Sequence, residues 1–583
     1  MTASPYLVLL ETSGNQNFIF STNKLKENIG ASELTYRAGT RWVLDAVAEI
    51  NETPELRQWA NSQDLRGILR NKDLNPAIEQ GHKPLEIIIA TSGKALILAR
   101  TEETAKDLIR RVTRKALEDA PGLNLSGVFV QIQDWDQTNS LDEAIREVHK
   151  TFEETQPYRP TAEARFLRLP IIADCSFSGL PASHLDYTPE NERVPISRVS
   201  ASKREASKAG IRRLHQIPSK EMTLKLTDNI NRLEGQLEGQ SEGQSEGQLD
   251  WLAIVHADGN GLGQIFLNFA ECLKNKKDNQ DQSNREYIKA YREFSLELDE
   301  CTEAAFEKAI QEAFKKQEKD NTVPLVPLIV GGDDLTVVCD GKVALKFTQV
   351  FLSQFEAETE QKTVIGKIAK KQFGIGRLSA CAGIAIIKPH FPFSVAYELA
   401  ESLIKSAKSV KQTVIKPAPD SEPKTPFPCS AIDFHILYDS THIDLDRIRR
   451  NLQPETTTYL YNRPYVVTEL DKLDSAQGKD WASQHHWNRL YKRVNHLKSD
   501  SDGDQDRDGG AKLPSSQSHA LRTALFLGRE AANAQYALIQ QRYPLKPFAE
   551  NDDKTSLFYQ SQEKDEIRFH TTFLDALDAK DFL

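Results

Sequence analysis

Apolar and polar positions along this chain follow one pattern that occurs twice. The run YLVLLET (6–12) is apolar enough for a buried strand, and helical periodicity continues from it to about residue 50. LEIIIATSGKALILA (85–99) then predicts two strands around a turn at Ser92 and Gly93. A helix over 102–119, a strand over 128–132 and a helix over 139–155 complete the order β-α-β-β-α-β, the ferredoxin-like arrangement. The second occurrence begins at WLAIVHA (251–257), followed by a helix over 262–273 and a longer one reaching about residue 316. VPLIV (326–330) and LTVVC (335–339) flank Gly331, Gly332, Asp333 and Asp334 as a tight hairpin. A helix near 343–359, the strand LSACAGIAII (378–387) and a helix over 394–410 close the repeat.

Polar stretches divide the rest. Residues 161–230 form a small linking module whose basic segment (203–213) reads first as a solvated face and second as a phosphate-facing one. An EGQ unit occurs four times between Glu234 and Gln248, so 231–249 is expected to be a flexible loop. Beyond residue 440 the pattern is mainly helical, interrupted by the very polar stretch 499–518, an expected disordered loop. The fold class is therefore α+β and multidomain. Residues 1–160 form an N-terminal ferredoxin-like domain, 250–440 a second ferredoxin-like domain, and 441–583 a mainly helical C-terminal domain.

Composition narrows the function. At 583 residues the chain exceeds what one core supports, about 150 residues per domain being usual. Lys and Arg number 74 against 84 Asp and Glu, a net charge of −10, which excludes a wholly basic nucleic-acid binder. No apolar run reaches the about 18 residues a membrane span needs, so no membrane partner is expected. Six scattered cysteines without a C-x-x-C pair indicate neither a disulfide framework nor a cysteine zinc site, and a reducing cytoplasm is expected.

Candidate chemistry gathers in the second repeat. Asp258 ends the strand WLAIVHA, and the turn Gly259, Asn260, Gly261 and Gly263 opens a helix whose amides can face an anion. Pairing of the first strand with the hairpin would bring Asp258 within about 4.8 Å of the Asp333/Asp334 turn. Two Mg²⁺ or Mn²⁺ ions about 3.5–4 Å apart need carboxylates on that scale. Lys408, on the polar side of the last helix, could hold triphosphate charge. Two other patterns lead nowhere. Asp504, Asp506, Asp508 and Gly509 begin like a calcium loop but have Ser515 where its Glu belongs, and G-x-G-x-G at 259–263 is not a dinucleotide fingerprint.

The motifs HADGNGLG (256–263), GGDD (331–334), SACAGIAI (379–386), ELAESLIKSAK (398–408), SAIDFHIL (430–437) and NRPY (462–465) together resemble the large, polymerase-like subunit of type III CRISPR effector complexes. The N-terminal LETSGNQNFIFSTNKLKENIGASEL (10–34) looks like that family's first, non-catalytic palm.

The resemblance implies a nucleotidyltransferase that makes cyclic oligoadenylate from ATP by a two-metal mechanism. Asp258, Asp333 and Asp334 would hold the metals. Gly259, Asn260, Gly261, Gly263, Gly331, Gly332 and Lys408 would bind nucleotide. Implied partners are ATP or another nucleoside triphosphate, CRISPR RNA and other type III effector subunits, with a homodimer expected if the chain acts alone. Many members begin with an HD nuclease domain; the first palm starts here near Met1 and no His-Asp dipeptide occurs, so no metal-dependent DNA cleavage is expected. Members often carry a cysteine zinc motif between the palms; ADCSFSGLPAS (173–183) keeps one cysteine, so no zinc is expected. Two alternatives stay open: a catalytically silent RNA- and protein-binding scaffold, and a diguanylate cyclase-like enzyme using GTP.

Overall fold

The computed structural model describes residues 4–80, 82–160, 163–187, 191–217, 224–227, 249–274, 283–315, 322–389, 391–417, 424–438, 443–498, 513–543, 545–550, 554–563 and 566–583. The whole EGQ repeat, residues 499–512 of the polar stretch and the acidic run from Asp504 lie outside them.

The first sheet contains β1 (Tyr6–Ser13), β2 (Leu85–Thr91), β3 (Lys94–Ala99) and β4 (Asn124–Gln131) in the order β2-β3-β1-β4, which is the ferredoxin-like topology. β1 reads as one apolar run because both its faces are covered: Leu7 and Leu9 enter one core, Val8 and Leu10 the other. Helices α1 (Asn15–Phe20), α2 (Leu25–Gly39), α3 (Arg41–Ile50) and α4 (Ser62–Arg70) fill the first crossover, and α5 (Glu102–Asp119) and α6 (Ser140–Thr155) follow the hairpin and β4.

The linking module carries the hairpin β5 (Ala182–Tyr187) and β6 (Arg193–Ser197), then helix α7 (Arg198–Leu214). The basic segment on α7 is divided: Lys208 and Arg212 are exposed, whereas Lys203, Arg204 and Arg213 turn toward α2. Lys203 is 1% exposed and donates to Ser21 Oγ at 2.7 Å, while Arg204 meets Glu27 and Arg213 meets Glu33, both at 2.8 and 2.7 Å respectively on α2. The backbones touch at Gly30, where an added Cβ would lie 1.7 Å from Lys203 O.

The second sheet has six strands. Four repeat the ferredoxin order: β8 (Leu252–Gly259), β10 (Leu325–Gly331), β11 (Asp334–Asp340) and β12 (Ala380–Ile387), arranged β10-β11-β8-β12. β13 (Ala431–Ile436) then joins β12 in parallel, and β15 (Tyr465–Val466) closes the edge, so the SAIDFHIL and NRPY motifs extend this sheet. The 30-residue helix Asn284–Ala313, opened by a Ser283/Glu286 capping box, lies across both palms. β7 (Lys225–Leu226) and β9 (Thr322–Val323) make a short parallel pair beside it.

Several boundaries differ from expectation. The helix over 262–273 breaks at Asn268, the last palm helix ends at Ala407, and an extra helix, Thr363–Phe373, precedes β12. The C-terminal region is mainly helical but also holds a small sheet of β14 (Thr458–Tyr459), β16 (Tyr559–Glu563) and β17 (Glu566–His570). YQSQE has no apolar alternation to announce it, and EIRFH alternates over only two apolar positions, Ile567 and Phe569. Among the described residues no helix is long and apolar enough to cross a membrane.

Candidate functional site

The palm strands bring the three acids together. β11 pairs antiparallel with β8, Leu335 opposite Ala257 and Thr336 opposite His256, so Asp334 and Asp258 end adjacent strands side by side. Gly331 pairs with Asp334, leaving a two-residue turn of Gly332 and Asp333. Gly331 has φ +154° and Gly332 φ +61°, regions where a side chain is strained. Asp333 folds back over Gly259, where a Cβ would come within 2.8 Å of the Asp333 Cβ.

Three carboxylates so close repel one another. Burial first, then the Asp258 and Asp334 carboxylates, raise the Asp333 carboxyl well above the usual carboxylate range. Lys408, expected at the triphosphate, instead has its ammonium on Asp258 Oδ2. Asp334 Oδ1 is buried, and the His256 ring nitrogen that faces it stands 3.4 Å away. Among the described residues, no three or more acid, His or Cys side chains form a ready-made metal cage. Mg²⁺ asks for less, one or two carboxylates plus substrate phosphates, and a cluster of repelling carboxylates suits a hard cation.

The glycine turn after β8 is divided in its roles. Asn260, expected at the nucleotide, is 8% exposed and turns its amide inward, donating to Ser379 Oγ at 3.1 Å and Cys429 O at 3.1 Å. Gly261 (φ +78°) packs under the Phe373 ring, where a Cβ would lie at 2.7 Å, whereas Gly263 and Gly332 have open space at the Cβ position.

Behind the acids stands a buried relay that the motif reading passed over. His256 Nδ1 lies 3.0 Å from Thr336 Oγ1 and 3.4 Å from Asp334 Oδ1, and its Nε2 is 3.6 Å from Glu401 Oε1. Burial lowers the imidazole pKa, but Asp334 and Glu401 more than reverse this, to about 10. The His256 ring, above all, holds the Glu401 carboxyl down to about 2. Gln16, from the first palm, donates to the same Glu401 oxygen at 2.5 Å, and Phe20 stacks on Tyr397 at 4.0 Å. The available signal was period two: His256 and Asp258 share a strand face.

The two palms face each other across a cavity of about 370 Å³ lined by the Gly331–Asp334 turn, Tyr397, and the turn at Thr91–Lys94 with Glu11. The registers correspond. Thr91 pairs with Lys94 and Glu11 with Lys94, so Glu11 stands where the second palm has Asp258, and Lys94 where it has Asp334. Glu11 and Lys94 are ion-paired at 3.2 Å. At this position the first palm thus carries a fixed cation, and the second a second carboxylate.

Residues 251–414 match the family described as Cas10/Cmr2, second palm domain. No curated protein matches the chain. Among solved structures, a Csm1–Csm4 cassette in complex with AMPPNP is similar at 12% identity, over 94% of this chain and 65% of that chain, with a TM-score of 0.44. A Csm1–Csm4 cassette in complex with one ATP gives 13%, 95%, 67% and 0.44. A Type III-B Cmr-beta apo structure gives 11%, 95%, 79% and 0.44. The chain spans about 65% of the length of the first of these.

Proposed function

We propose, from the premise that residues 251–414 form a second palm domain of the Cas10/Cmr2 family, that this chain is a nucleotidyltransferase making cyclic oligoadenylate from ATP within a type III CRISPR effector complex. The observation that carries the reading is the convergence of Asp258, Asp333 and Asp334 at the end of two paired strands, with the hairpin acids facing the cavity between the palms.

Asp258, Asp333 and Asp334 would hold Mg²⁺ or Mn²⁺. Bound there, the ions would lower the pKa of an attacking ribose hydroxyl and offset the charge on a leaving pyrophosphate. The chain's own residues do the rest. Open space at Gly332 leaves room for a nucleotide beside the turn. Lys408 and Lys94 place ammonium groups near and opposite the acids, where they can meet phosphate charge. Stacked Phe20 and Tyr397 wall one side against water. His256, bridging Asp334 and Glu401, fixes the orientation of the second hairpin acid. Cyclisation is the same transfer with the acceptor hydroxyl on the growing chain.

The silent-scaffold reading draws on one observation, the Lys408 ammonium closed onto Asp258. Calorimetric titration with ATP, with and without Mg²⁺ or Mn²⁺, separates the two. Catalysis by this site predicts metal-dependent binding that is lost in Asp333→Ala/Asp334→Ala. Equal binding by the variant, or none by either protein, contradicts it.

A further inference from the structure

The GGDD turn is built from two adjacent glycines, which leave the backbone freer than any other residues would, and it ends in two mutually repelling acids. Something outside the hairpin must hold it. The helix Asn284–Ala313 does so from both sides of Gly332: the Gly332 amide donates to Asp299 Oδ1 at 3.2 Å, and Thr302 Oγ1 donates to the Gly332 carbonyl at 2.5 Å.

That helix presents a row of acids, Glu293, Asp299, Glu300 and Glu303, to α4 of the first palm, and two arginines one helical turn apart share them. Arg70 takes Glu293 at 2.6 Å and Glu300 at 2.7 Å. Arg66 takes Asp299 Oδ2 at 2.6 Å and Glu303 at 2.8 Å, with its side chain 9% exposed. Only Arg66 therefore touches the carboxylate that caps the turn. A planar guanidinium can serve two carboxylates at once in fixed geometry, which an ammonium cannot. Asp299 is thus held on one oxygen by the first palm and holds the turn with the other.

We propose that Arg66 is a positioning residue for the GGDD turn: acting from the first palm through Asp299, it sets where Asp333 and Asp334 stand. Its consequence for turnover rests on the nucleotidyl-transfer reading; its consequence for the turn does not. Catalytic groups must be held within a fraction of an ångström, so a turn released from Asp299 lowers kcat while leaving the nucleotide's other contacts, and hence KM, in place.

The test is amide hydrogen exchange of the segment containing Gly332, measured on the full chain as wild type, Arg66→Ala, Arg66→Lys and Arg70→Ala. Arg70→Ala removes two salt bridges, to Glu293 and Glu300, from the same interface without touching Asp299, and so controls for loosened packing. The inference predicts about tenfold faster exchange at Gly332 in Arg66→Ala, an intermediate rate in Arg66→Lys and the wild-type rate in Arg70→Ala. Where product forms, kcat falls in the same order and KM holds. Exchange that is unchanged in Arg66→Ala, or equally raised in Arg70→Ala, overturns the inference. Should Arg66→Ala not fold, Arg66→Lys against Arg70→Ala decides the point in the same way. A wild type without product defeats the nucleotidyl-transfer reading and leaves this comparison intact.

Discussion

Asp333 is hard to ionise first because it is buried and then because Asp258 and Asp334 stand beside it, and the groups that can relieve it are cations. Removing both hairpin acids removes that demand together with two of the proposed metal ligands. Asp333→Ala/Asp334→Ala is therefore expected to lower product formation by at least about 10³-fold, the scale of several kcal/mol, while the sheet stays folded, as read by turnover and circular dichroism. Glu401 offers a pH test. Its carboxyl is lowered from 4.5 to about 2, so its contribution to stability is complete above about pH 4.5 and lost as pH falls toward 2. Glu401→Gln should flatten the acid limb of the stability curve over that window; an unchanged limb would remove the relay from the account. At this scale the acids were legible because turn chemistry and strand ends are local. Glu401 and Gln16 were not, since 385 residues separate them and only the packing of the palms joins them.

Elements were legible where one periodicity ran without interruption, as in β1, α5 and the hairpin 325–340, and less so where a partner decides. α7 shows why. Its cations suit a solvated face by composition, but Lys203, Arg204 and Arg213 are taken up by Ser21, Glu27 and Glu33 around α2. The helix backbones can approach because Gly30 has no side chain. Gly30→Ala should force them apart and destabilise the chain by about 1–3 kcal/mol or more in chemical denaturation, an overpacking cost. A neutral effect would mean that the contact is not tight. The last helix gives a different lesson: it ends at Ala407, and Lys408 at its C-cap meets Asp258, a pairing that a lysine every three residues does not announce.

At the scale of the whole molecule, two ferredoxin-like sheets share their cores: Val8 and Leu10 of the first pack in the same cluster as Ile254 and Val338 of the second. The doubling of the pattern was readable in sequence; which faces meet was not. One consequence concerns RNA. The basic segment 203–213 is the candidate for a groove, yet its Arg204 and Arg213 are paired within the chain. Arg204→Ala and Arg213→Ala are expected to lower thermal stability and leave the salt dependence of RNA binding unchanged; a shallower salt slope would restore the groove.

The measurement that bears most directly on the central claim is product identification by mass spectrometry after incubating the chain with each of the four ribonucleoside triphosphates and Mg²⁺ or Mn²⁺, beside Asp333→Ala/Asp334→Ala. The account predicts a cyclic oligoadenylate from ATP with wild type and none with the variant. The same product from both proteins would contradict the assignment of these acids, and a product from GTP alone would contradict the assignment of the substrate.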